Sequence, residues 1–139
     1  MSVDLTARNV QNEAKKKGLP WTIAKGFDTF LPISASISKA SIPDPHDVEV
    51  YLSVNDKVKQ NDSTNLMLFR IPRLLSDISQ VMALEKGDVV LTGTPKGVGS
   101  LDVGDVVKAG IRVGEKELEE GRIAVDVEEK GGLYAYEET

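Results

Sequence analysis

The chain reads as a mixed α and β (α+β) protein in which strands predominate. Three observations carry that reading. A period of two runs through Val48, Val50, Leu52 and Val54. A helical face recurs through Ile71, Leu74, Leu75, Ile78, Val81 and Met82. Three β-branched stretches, 88–92, 106–113 and 122–127, are separated by Gly-Asp or Gly-Glu turns, the pattern of a meander. At 139 residues the chain has the length of one domain and can bury a core.

Taken in order, Thr6 to Lys17 predicts a short helix. Thr6 stands at the cap position, Ala7, Val10 and Ala14 recur at helical spacing, Lys15 to Lys17 suit the negative C-terminal end, and Gly18 ends it. Asp4 then falls on the tail of a strand just ahead of that helix. Val48 to Val54 predicts a strand with Glu49, Tyr51 and Ser53 on its other face, and Asn55-Asp56 predicts a hairpin turn into 57–60. The segment 71–82 predicts the best helix of the chain, with Pro72 in the first turn where its missing N–H does no harm. "GDVV" occurs at 87–90 and again at 104–107, which reads as two similar turns rather than a duplication. We expect residues 1–127 to form the domain and 128–139 to be an acidic tail that frays.

Composition excludes several classes of function. Net charge is −5 and no basic run occurs, which argues against a nucleic-acid partner. There is no cysteine, so disulfides, thiolate nucleophiles and cysteine zinc sites are out. No apolar stretch approaches the roughly 18 residues of a membrane span, so no membrane association is expected. The first residues, MSVDLTARN, are neither an apolar signal core nor an arginine-rich transit segment, and no targeting segment is read from them.

The stretch VVLTGTPKGVG, residues 89–99, raises the question of a ligand. A glycine-rich turn after a strand invites a phosphate, but Lys96 sits mid-turn and no long helix follows, so the Walker pattern fails; the intervals of Gly93, Gly97 and Gly99 fail the dinucleotide pattern too. Thr92 and Thr94 around Gly93 fit either an oxyanion cradle or a structural turn. Asp4, Arg8 and Gln11 bring a carboxylate, a guanidinium and an amide to one helix mouth, which suits a metal with an anionic ligand, or simply a capped, solvated helix. Lys25 lies among apolar neighbours, facing a partly dry site or snorkelling to solvent. His46 reads as a turn or surface histidine, and Glu115, Glu117 and Glu119 as a solvated face.

Taken together, these motifs carry a resemblance. DLTARNVQNEAKKKGLPWTIAKGFDTFLPIS with LTGTPKGVG resembles the fumarylacetoacetate hydrolase family, in its small acylpyruvase and oxaloacetate decarboxylase branch. The matching residues are Asp4, Thr6, Ala7, Arg8 and Gln11, then Ala24 to Phe27, then Thr92 to Pro95 with Gly97 to Gly99. IPDP, the VND…Q hairpin and LEKGDVVLTGTP agree as well. The match spans roughly residues 3 to 113, with three motifs in the family's order.

The resemblance implies a mixed β-sheet roll, a single Mg²⁺ or Mn²⁺, a 2-oxo acid substrate and a homodimer. By position it makes Asp4 a metal ligand, Lys25 the catalytic residue that polarises the oxo and enolate oxygens, and Arg8, Gln11, Gly93 and Thr94 substrate-binding residues. The family's two other metal-binding glutamates, and its water-activating His and Glu, are expected upstream of residue 1, which makes the fold incomplete at its N-terminus. Asn9 stands where the family usually has aspartate. The expected function is metal-dependent hydrolysis or decarboxylation of acylpyruvates or oxaloacetate, in a mitochondrial or cytoplasmic setting. The alternative is a truncated, non-catalytic chain that dimerises or binds a ligand.

Overall fold

A computed structural model describes residues 1–132. Its framework is one antiparallel sheet. β1 (Glu49–Val54) and β2 (Lys57–Ser63) form a hairpin, and β3 (Val106–Val113) pairs with the other side of β1. The far edge of β3 is shared, its C-terminal end by β4 (Lys116–Glu117) and its N-terminal end by β5 (Ile123–Asp126). Three α-helices, α1 (Arg8–Lys16), α2 (Thr22–Lys25) and α3 (Ile71–Ser79), and three short 3-10 helices, Lys39–Ser41, Thr64–Leu66 and Glu119–Gly121, complete the described elements. The strand-dominated α+β class is therefore what forms, and every strand pairing among the described residues is antiparallel.

The hairpin follows from the sequence. Asn55 and Asp56 adopt φ of 50° and 60°, the left-handed pair that a two-residue turn compatible with strand twist requires. The period of two in β1 is obeyed: Val50, Leu52 and Val54 stand opposite Ile111, Ala109 and Val107. Directly opposed residues share a face, so this is the core side. Two apolar clusters line it. One joins Val3, Ala109 and Ile123, with Leu5 and Leu52 against them; the other joins Val48, Ile111 and Leu118. The opposite face carries Tyr51, whose ring lies over Gly110 and under the Arg112 guanidinium, 4.4 Å from the ring centre. Tyr51 donates its hydroxyl to Glu117, which also accepts from Arg122.

Several expectations need correction. The first helix starts at Arg8, not Thr6, and Ala7 is its N-cap, with no side-chain cap. The Ala7 N–H is already taken by the Ala24 carbonyl, so the chain stays extended one residue past Thr6. Helix α3 ends at Ser79 rather than Met82, and none of its residues is buried. The strand expected at 88–92 does not form. Its turn does: Gly87 and Gly104 have φ of 105° and 93°, and Asp88 and Asp105 each accept from the N–H three residues earlier. The two GDVV turns are locally alike, yet only the second leads into a strand, because only there do β1 and β5 supply partners. Of the expected tail, residues 133–139 lie outside the described residues. Among the described residues no helix is long and apolar enough to cross a membrane.

Candidate functional site

The N-terminal segment runs beside residues 24–34, with Ser2 bridged to Ile33. Val3, Leu5 and Ala7 donate their N–H groups to the carbonyls of Pro32, Phe30 and Ala24. Alternate residues of an extended chain point to opposite sides. Val3 and Leu5 therefore pack into the sheet cluster while Asp4 points away from it, toward α2. There Lys25 Nζ donates to Asp4 Oδ2 at 2.7 Å, with both side chains part-exposed at 34% and 41%. The partly dry setting read for Lys25 is thus a half-exposed ion pair. One helical turn into α1, Arg8 donates to the Oε1 of Gln11 at 3.1 Å, and Gln11 is buried at 8% exposure.

The glycine-rich loop is seated on β2. Leu52 faces Gln60 but Ser53 faces Val58, so Lys59 is an extra residue, a β-bulge. A bulge frees backbone groups from the ladder, and Gly97, at φ 98°, lies so close that a Cβ there would fall onto the Lys59 carbonyl oxygen. Beside it the Gln60 amide donates to Thr94 Oγ1 at 2.9 Å and to the Pro95 carbonyl at 2.8 Å. Lys96 reaches toward Asp62 at 4.0 Å. Gln60 was legible only as the last letter of the VND…Q hairpin, with no role attached to it.

Asp4 and Lys25 are brought together, as are Arg8 and Gln11. Gly93 and Thr94 are not hydrogen-bonded to either pair; what they share is a side of the sheet. Gln60, which holds Thr94, stands opposite Leu52, and Leu52 belongs to the cluster that seats Leu5 next to Asp4. A shallow depression on the exposed side of α1, lined by Asn9, Asn12, Lys15 and Lys16, includes none of these residues.

His46 is elsewhere. Its Nε2 accepts the N–H of Ile71 at 3.0 Å, at the start of α3, and its Nδ1 lies 3.4 Å from Asp44. It is a turn residue with a capping role that the sequence did not disclose. Glu117 departs from a simple solvated face: hydrogen bonds from Arg122 first, then from Tyr51, hold its carboxyl below the ordinary value.

Residues 1–126 match the family model described as fumarylacetoacetate (FAA) hydrolase, C-terminal. The chain belongs to the fumarylacetoacetate hydrolase family. Within that family it is 60% identical over 109 residues to a mitochondrial oxaloacetate tautomerase of Schizosaccharomyces pombe, matching 78% of this chain and 49% of that protein. The crystal structure of the yeast fumarylacetoacetate hydrolase family protein ynq8 covers 99% of this chain with a TM-score of 0.93 and 45% identity, and 58% of that chain is matched. Fumarylpyruvate hydrolase of Pseudomonas aeruginosa, solved in complex with Mn²⁺ and pyruvate, gives a TM-score of 0.83 at 27% identity, over 93% of this chain and 53% of that one. The chain thus spans about half the length of the family relatives it matches.

A divalent cation is expected in the family, and the chemistry of the donors can be tested against it. Lys25 engages Oδ2 of Asp4 and leaves Oδ1 for a cation. Among the described residues no three acidic or histidine side chains cluster around a common point. Mg²⁺ demands near-octahedral oxygen coordination, which one carboxylate does not supply. These residues fit as one ligand of such a site, not as the whole of it.

Proposed function

We propose that this chain carries the Asp4, Lys25 and Thr94 part of a site acting on oxaloacetate or an acylpyruvate, with C–C hydrolysis or decarboxylation as its reaction. The observation that carries the reading is the Asp4–Lys25 pair, closed at 2.7 Å across 21 residues of sequence. A metal ligand and a cation beside it suit a 2-oxo acid, whose oxygens carry the charge. The names of the relatives, oxaloacetate tautomerase and fumarylpyruvate hydrolase, support a 2-oxo acid whose enolate is stabilised.

Asp4 offers one oxygen to Mg²⁺ or Mn²⁺, the remaining ligands coming from outside the described residues. When bound, such an ion supplies a Lewis acid for the 2-oxo group. The ammonium of Lys25, held in place by Asp4, donates to the oxygen on which negative charge develops as the bond at the neighbouring carbon breaks. Thr94 donates its hydroxyl, and Gly93 its N–H, to the substrate carboxylate. Gln11, buried and bonded to Arg8, holds that guanidinium facing the same anion. A homodimer and a mitochondrial or cytoplasmic location belong to the same proposal.

The test follows pyruvate release from oxaloacetate by decarboxylation, and from acetylpyruvate by hydrolysis, with and without Mg²⁺ or Mn²⁺. It uses this chain and a version extended upstream to the length of its relatives. Metal-dependent turnover by the longer protein is expected. No turnover of either substrate by that protein overturns the reading and leaves a non-catalytic, ligand-binding chain.

A further inference from the structure

We propose that Gln60 is a positioning residue that sets the Thr94 hydroxyl as a hydrogen-bond donor toward a carboxylate oxygen of the ligand, an inference that rests on the functional reading above. A carboxamide nitrogen has two N–H bonds, and Gln60 spends one on Thr94 Oγ1 at 2.9 Å and the other on the Pro95 carbonyl at 2.8 Å. The orientation of the amide is fixed by its second partner. A carbonyl only accepts, so turning the amide over would set Oε1 against the Pro95 oxygen.

The consequence lies in the hydroxyl. Threonine has one O–H and two lone pairs. With a lone pair already occupied by Gln60, the Thr94 proton cannot point back along that bond. Among the described residues Thr94 donates to no protein group, and its side chain is exposed. The proton is therefore available outward, to an oxygen that only accepts. An ionised carboxylate is such an acceptor, and the hydrogen bond to it is charge-assisted.

The support under Gln60 comes from the strand itself. It sits next to the bulge at Lys59, whose carbonyl is the seat of Gly97, so the loop is held at two points three residues apart. Swapping the Gln60 nitrogen for oxygen changes shape little but reverses the polarity: a carboxylate at position 60 would take the Thr94 proton for itself and face the Pro95 carbonyl unpaired.

The experiment titrates the upstream-extended protein with oxalate in the presence of Mg²⁺, following the Thr94 methyl signal by NMR, and records hydrogen exchange of the amides in 92–99. Variants are Gln60→Glu, Gln60→Leu, Thr94→Val and the double variant Gln60→Glu with Thr94→Val. We expect Gln60→Glu to weaken oxalate binding by about tenfold or more with the sheet amides still protected. The double variant should bind no more weakly than Thr94→Val alone, and Gln60→Leu should speed exchange in 92–99 only. Oxalate affinity within twofold of the unmodified protein in Gln60→Glu, or additive losses in the double variant, overturns the proposal. If the unmodified upstream-extended protein shows no oxalate response, the functional reading falls; faster loop exchange in Gln60→Leu then upholds the anchoring, and unchanged exchange overturns it.

Discussion

Lys25 Nζ lies 2.7 Å from Asp4 Oδ2, and the backbone ladder between 3–7 and 24–32 sets that approach. The ladder, not the ion pair, holds the two segments together. A part-exposed pair contributes little to folding, on the order of 0–1 kcal/mol.

Lys25→Met should therefore leave the melting temperature nearly unchanged, with a stability shift within about 0.5 kcal/mol. It should lower turnover of oxaloacetate by about a hundredfold in the upstream-extended protein, the scale of losing one charge-stabilising donor. A variant that unfolds early instead would give Lys25 a structural role.

Gly97 and Gly99 make a matched comparison. Gly97→Ala forces a Cβ onto the Lys59 carbonyl at a φ of 98°, whereas Gly99→Ala meets nothing within 4 Å. We expect Gly97→Ala to cost about 1–3 kcal/mol in urea unfolding, or to release the loop, and Gly99→Ala to stay within about 0.5 kcal/mol. Equal effects would mean that the loop does not rest on the bulge.

Gly110→Ala would bring a Cβ to 2.7 Å from the Tyr51 ring. That ring is fixed by Arg112 above it and Glu117 at its hydroxyl, so it cannot swing away freely. A destabilisation of about 1–3 kcal/mol is expected, largely relieved when Tyr51→Ala is combined with it. Additivity of the two changes in denaturant titrations would rule the contact out.

Arg122, and after it Tyr51, hold the Glu117 carboxyl below its ordinary 4.5. A carboxyl lowered by folding adds stability above the range where the unfolded group titrates, and that stability is lost as pH falls through the folded value. Urea midpoints should thus drop more steeply below about pH 4.5 in the unmodified chain than in Glu117→Gln, and the two should run parallel above it. Parallel curves through the acid range would contradict the assignment.

His46→Ala removes the acceptor for the Ile71 N–H. The loss of one helix cap should cost about 1 kcal/mol, read as faster exchange in the first turn of α3 with β1 to β3 unaffected.

Much of this fold could be read ahead of the structure because its signals are local. The period of two in Val48 to Val54 and the Asn55-Asp56 turn sufficed for the hairpin, whereas the spacing of Asp4, Arg8 and Gln11 gave the Arg8–Gln11 pair on α1 but not the turn of Asp4 toward Lys25. The segment 88–92 misled because its β-branched composition and its turn are those of a strand, while strand formation depends on a neighbour that composition does not reveal. The role of Gln60 was hidden for a related reason: its partners lie 34 residues on, and nothing local marks a bulge at Lys59. Asp4 and Lys25 could be nominated separately from motifs, but their contact is a product of chain pairing.

The bulge bears on how this protein tolerates change. The exposed hairpin tip at Asn55-Asp56 looks like a convenient place for an inserted epitope or a shortened turn. Yet among the described residues β2 is joined to the sheet only through β1, and strand side chains alternate, so a one-residue slip there would swing Gln60 to the far face and leave the Thr-Gly-Thr turn without its tether. Asn55, which also bonds Asp105 and the Val106 N–H, is held by its left-handed φ and by those partners, and the number of residues between Val54 and Gln60 is under constraint as well.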